Sequence, residues 1–133
     1  MNLWRKWENE FVEKCREKGK KYFEWCSVPL KRPFFKEIKG NTTMIRTMER
    51  VRLNHGNWKE CLKKRQLSED DLCDSCLVVE DIEHLLLRCC KYAQSREMFN
   101  GLKNARGLNE LLRMGINEYR MMYEFISING ITV

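Results

Sequence analysis

Apolar residues recur along most of this chain at three- and four-residue spacings, the pattern of helices that bury one face. Leu3, Trp4, Trp7, Phe11 and Cys15 form the first stripe, and Tyr22, Phe23 and Trp25 extend the apolar content beyond Gly19, which is placed to interrupt it. Val28-Pro29-Leu30-Lys31-Arg32-Pro33 predicts a break, because proline removes a backbone donor and drives its predecessor out of the helical region. A second helix is expected to start at Asn41-Thr42-Thr43, which are good N-cap types. It would line one face with Met44, Ile45, Met48 and Val51 and turn Arg46, Arg50 and Arg52 away from it. Asn54-His55-Gly56-Asn57 reads as a helix stop and a fresh cap. A short helix should follow, with Trp58, Cys61 and Leu62 inward and Lys59, Lys63 and Lys64 outward.

An acidic loop, Ser68 to Asp71, leads into the cysteines. Helix is expected again from about Asp81 through His84 and the leucines at 85–87, and then onward through Tyr92, Arg96, Met98 and Phe99. Gly101 and Gly107 bracket a looser join. Leu108 to Ile128 should form one or two closing helices, ended by Asn129-Gly130. Strand signals are poor, and Val78-Val79 alone suits a short extended piece. The expected fold class is all-α, a small helical domain. Its first part, residues 1–40, would be an aromatic and basic helix with a Pro-containing linker, and residues 41–133 the main helical module.

The chain has 133 residues, 43% hydrophobic and 33% charged, with a mean hydropathy of -0.60. No apolar run approaches the roughly 20 residues a membrane helix needs. The first residues carry acids and no long apolar stretch, so no secretory signal is read there. Seven cysteines without an export signal suit reduced thiols or metal ligands rather than a disulfide framework. An intracellular protein of the nucleus or cytoplasm is expected. The net charge of +6 is unevenly spread: residues 1–67 carry +10 and residues 68–133 carry -4. A basic first half suits phosphate backbones; it equally suits lysines and arginines that only solvate helix faces.

One stretch changes the picture. Cys73-Asp74-Ser75-Cys76 is followed after seven residues by His84 and after four more by Cys89. Three thiols and an imidazole in this order can close a tetrahedral zinc site, since zinc takes thiolate sulfur and imidazole nitrogen. On one straight α-helix, His84 and Cys89 would project roughly 140° apart, so the helix must end or bend at Cys89. Cys90, roughly 240° from His84 on the same count, is the spare thiol. It and Cys61 remain alternatives to Cys89. A filled site would carry a local charge of -1, which Arg88, Lys91 and Arg96 can offset. Such a zinc staple contributes about 10 kcal/mol or more of apparent binding free energy to folding. The alternative is a metal-free core, because cysteines pack as small hydrophobes and His84 adjoins a leucine run.

The stretch from Arg50 to Arg96 resembles the C-terminal zinc-knuckle region of non-LTR retrotransposon polyproteins of the jockey and I-element type. The pieces that carry the likeness are Arg52-Leu53-Asn54-His55-Gly56, the Cys73/Cys76 pair, Glu83-His84 with its leucines, Arg88-Cys89, and Tyr92 through Arg96. Phe125-Ile126 and Gly130-Ile131 resemble the usual C-terminus of that region. The family often has proline after the last ligand, where this chain has Cys90, and its Gly-His order is reversed here as His55-Gly56. The Tyr-x-Asp-Asp polymerase motif and the acids of two-metal nuclease chemistry are absent from the sequence.

The resemblance implies a non-catalytic accessory module that binds RNA or DNA, with Zn2+ on Cys73, Cys76, His84 and Cys89. The matching basic positions are Arg46, Arg50, Arg52 and His55, with Lys59, Lys63, Lys64 and Arg65 on the next helix. Trp58 can stack on a base or fill the core. A second expectation is a protein-interaction or self-association module, using the Trp4, Trp7 and Phe11 stripe as its contact surface; the same stripe can instead pack on the chain's own core. A hydrolase using Cys90 or Cys61 lacks an evident base partner.

Overall fold

A computed structural model describes residues 2–25, Lys36 and 41–133. The predicted break over Val28–Pro33 and the boundary at residue 40 lie outside the described residues. The expected all-α class is borne out, with helices and no strand among the described residues.

Helix α1 (Leu3–Glu17) is capped by the Asn2 side chain, which accepts the Trp4 N–H. It ends before Gly19, the expected interruption, whose φ of +75° is a left-handed conformation that glycine adopts without strain. Helix α2 (Lys20–Trp25) folds back on α1. Phe11 meets Tyr22 and Phe23 across that join, with ring centroids 5.9 and 6.5 Å apart. The stripe is therefore only partly covered: Phe11 packs on α2, while Trp7 stays 45% exposed.

Helix α3 (Thr42–Arg52) starts where Asn41 accepts the Met44 N–H at 3.0 Å. It buries Met44, Met48 and Val51, each contributing about 1.5–3 kcal/mol by leaving water. The last residue of the helix departs from expectation. Arg52 was expected to point away from the apolar line, but it is buried. Its guanidinium donates to the Tyr22 hydroxyl at 3.2 Å and lies 5.7 Å from that ring's centroid. An aromatic face and a hydroxyl on α2 can receive a planar cation that water would otherwise solvate.

Helix α4 (Lys59–Lys64) follows directly on Trp58. Trp58 is 1% exposed, so it belongs to the core and is not placed for stacking on a base. A side chain at Gly56 would put its Cβ 2.1 Å from the Trp58 ring; this close approach explains the glycine.

After the cysteine-rich loop come helices α5 (Ala93–Arg96), α6 (Asn100–Asn104), α7 (Leu108–Arg113) and α8 (Ile116–Ile128). The looser join expected between Gly101 and Gly107 contains α6. Gly101 lies on α6, where the end of the flexible Met121 side chain of α8 rests against it. The closing segment is two helices, parted at Met114–Gly115. Helix α8 packs on α3 and buries Tyr119, Met122, Phe125 and Ile126. The Tyr119 hydroxyl donates to the Leu112 carbonyl at 2.7 Å, tying α8 to α7. Phe125 is the hub: Phe99 and Tyr92 stand edge-on to it, with centroids 5.6 and 6.1 Å away. No helix among the described residues is long and apolar enough to cross a membrane.

Candidate metal centre

Two local structures, each built by its own sequence, bring the four predicted ligands together. The first is the Cys73–Cys76 loop. Leu72 and Val79 form an isolated antiparallel bridge, the short extended piece expected near Val78-Val79. Cys73 N–H donates to Val78 O at 2.7 Å, and Leu77 N–H returns to Cys73 O at 2.8 Å. Leu77 takes φ +57°, the left-handed turn that closes the loop and leaves both sulfurs on its inner side.

The second is the helical turn His84–Arg88. Asp81 caps its start by accepting the His84 N–H at 2.7 Å, and Ile82 anchors it in the core. Cys89 N–H donates to His84 O at 2.7 Å, five residues back. This is a π-turn, wider than an α-turn. It carries Cys89 about one full revolution past His84, so the two side chains that an α-helix would splay come onto one face. Cys89 itself is extended (φ -60°, ψ 126°) and ends the turn, as the spacing required.

The result is a cluster in which Cys73 Sγ, Cys76 Sγ, Cys89 Sγ and one His84 ring nitrogen all lie within 4.8 Å of one another. Cys73 Sγ is 3.7 Å and Cys76 Sγ 4.0 Å from Cys89 Sγ. Cys73, His84 and Cys89 are buried and Cys76 is half-buried. His84 Nε2 is buried and has no hydrogen-bond partner among the described residues. A buried ring nitrogen with no partner among the described residues, on a histidine grouped with three sulfurs, fits a metal ligand. The four residues are thus close enough to hold a metal ion. Cys61 is elsewhere, in the core, with its thiol donating to Asn54 O at 3.1 Å. Cys90 is exposed and outside the four-donor group, although its sulfur lies 3.2 Å from Cys76 Sγ.

The electrostatics suit ligation. Burial holds the His84 imidazole below its ordinary pKa, which keeps a lone pair free. Burial pushes the Cys89 thiol up to about 12, so its thiolate requires a cation beside it. The Cys76 thiol is lowered, chiefly because the Cys90 backbone N–H donates to its sulfur.

Arg96, expected only as a charge partner, has a larger part. It is buried, and its guanidinium donates to the carbonyls of Leu86 (2.8 Å), Cys89 (3.2 Å) and Leu85 (3.3 Å). A helix leaves its last carbonyls unpaired; here one side chain satisfies three and holds the π-turn open. No sequence signal marks that role, because the partners are backbone atoms seven to eleven residues away.

The predicted basic residues divide. Arg46, Arg50 and His55 are exposed, with Arg50 donating to Val133 O at 2.8 Å. Arg52 is buried. Lys59 is drawn onto the cysteine loop: its ammonium lies 2.6 Å from Asp74 and 3.6 Å from Asp70. Lys63 lies 3.9 Å from Asp71, and Lys64 is 2.8 Å from Glu60. Arg65 donates to Gly56 O and to Asn57. The acidic loop before Cys73 therefore neutralises part of the helix expected to meet phosphates.

A scan against protein-family models, a search of curated proteins and a search of solved structures each find no match to this chain.

Proposed function

We propose that Cys73, Cys76, His84 and Cys89 hold one structural zinc ion, and that the chain is a non-catalytic accessory module binding RNA or DNA. The convergence of the four donors carries this reading. For Zn–S bonds of about 2.3 Å, a tetrahedron sets sulfurs about 3.8 Å apart; two of the sulfur pairs here stand at 3.7 and 4.0 Å. Three thiolates and a neutral imidazole are a zinc donor set, and four protein donors leave no open position for chemistry. The likeness to the retrotransposon zinc-knuckle region supports the accessory role.

Nucleic-acid contact rests on Arg46, Arg50 and His55, joined by Lys63 and Lys64, whose side chains are 51% and 63% exposed. Surface ion pairs contribute at most about 1 kcal/mol, so a phosphate can displace Asp71 or Glu60. Arg52 and Trp58 have no part in it. Four permanent cations would give a salt slope of about -3 in log K against log salt. Fluorescence anisotropy with single-stranded RNA and DNA at two salt concentrations tests this, and charge reversal at Arg46 and Arg50 should abolish the signal. No binding at low salt would remove the nucleic-acid reading.

A second reading, a protein-interaction module, is favoured by one observation. Trp7 on α1 and Leu72, Leu77, Val78 and Val79 around the metal loop are all exposed. Light scattering separates self-association from a monomer.

A further inference from the structure

Cys90 lies outside the four-donor group, and its surroundings give it a use. It follows Cys89 directly, so its backbone is fixed by the end of the π-turn. Its N–H donates to Cys76 Sγ at 3.3 Å, and its own sulfur stands 3.2 Å from that atom. Cys90 is exposed and Cys76 half-buried. A cleft of about 450 Å³ whose lining includes Cys76, Asp81, Glu83, His84 and Arg88 brings small solutes to Cys76, while Cys90 reaches solvent by its own exposure. The other two sulfurs, on Cys73 and Cys89, are buried.

We propose that Cys76 and Cys90 form a peroxide-sensitive dithiol that ejects the metal on oxidation. This rests on the metal-site reading above. The oxidant is hydrogen peroxide. The Cys90 thiol gives up its proton as its exposed sulfur attacks one peroxide oxygen; the O–O bond breaks, the sulfur loses two electrons to become a sulfenic acid, and the departing hydroxide takes up that proton to leave as water. The Cys76 sulfur then attacks the Cys90 sulfur with the electron pair it would otherwise give the metal. The S–S bond forms, the S–O bond breaks, and the hydroxide leaves as a second water on taking up a proton. Reaching a bonding distance of about 2.05 Å from 3.2 Å needs about 1 Å of side-chain motion. Cys73, His84 and Cys89 are left as three donors, and reduction by a small thiol restores the fourth.

The test uses the full chain loaded with zinc. Peroxide is added, metal release is followed with a chromophoric chelator, and disulfides are mapped by alkylation and peptide mass spectrometry. The expected result is a Cys76–Cys90 link appearing in step with release, reversed by dithiothreitol. Cys90→Ser should bind zinc with unchanged stoichiometry and release it at least about tenfold more slowly. Equal release rates in the variant, a link mapping to Cys73–Cys89, or loss of zinc binding in Cys90→Ser would each overturn the proposal. If the untreated wild-type chain holds no zinc, the metal-site reading fails by itself. The mapped Cys76–Cys90 link then still decides whether the pair is a peroxide-sensitive dithiol: its presence supports the pairing, and its absence ends it.

Discussion

The helical core and the cysteine loop of this chain are held by different forces. In the core, α3 and α8 bring Met48, Val51, Met122 and Phe125 together with no exposure, and hydrophobic burial suffices. In the loop, Leu72, Leu77, Val78 and Val79 all face water. Its attachments are a few backbone hydrogen bonds, the ion pairs of Lys59, and the sulfurs themselves. One region folds by excluding water. The other has few apolar contacts, and its order should depend on what the sulfurs hold.

Metal removal is the strongest way to break this comparison. A zinc ion held as proposed would supply about 10 kcal/mol or more of apparent binding free energy, comparable with the whole margin of a small domain, about 5–15 kcal/mol. Chelation should therefore erase hydrogen-exchange protection at the amides of Cys73, Leu77, Glu80 and Cys89. Protection along α8 should fall less. Equal loss in both regions would show that they are one cooperative unit.

Phe125→Ala attacks the other side. Losing a fully buried hub ring should cost about 3–5 kcal/mol, read by urea unfolding of the metal-loaded protein. Metal stoichiometry should stay the same. A metal stoichiometry that falls with the ring would erase the distinction.

Arg96 joins the two regions. Its guanidinium lies 5.7 Å from the Phe125 centroid while it caps the π-turn. Arg96→Met keeps much of the bulk and strips the carbonyls of their donor, at a cost of about 1–3 kcal/mol. Because the turn aligns His84 with Cys89, this variant should weaken metal affinity as well as stability. Isothermal titration with zinc distinguishes the two effects.

The last handle is pH, which acts on the cysteine loop alone. Ligation displaces the proton from Cys89, whose thiol lies at about 12. One displaced proton weakens metal affinity about tenfold for each unit of falling pH. His84 acts in the same direction. Its folded pKa is below the ordinary value, so its stabilising contribution is present above about pH 6.5 and lost as acid protonates it. Affinity that did not change between pH 8 and 6 would deny that thiolates bind.

The sequence by itself was enough for several local features, though not for the stop of α5 at Arg96 or for helix α6 across the expected loose join. The Asn41 cap, the stripe of α3, the break at Gly19 and the end of helix at Cys89 all depend on residues within a turn or two of each other. The four candidate donors were legible for the same reason, since donor type and spacing are chemical facts of the chain. The tertiary structure alone decided how those donors meet. It chose a π-turn over an α-turn between His84 and Cys89, because Arg96 reaches back to take the carbonyls of Leu85, Leu86 and Cys89. It also buried Arg52 against Tyr22, turned Lys59 onto Asp74, and set Cys90 beside Cys76. A long side chain's partner depends on which distant backbone or ring comes within a few ångströms, and periodicity along a sequence carries no record of that.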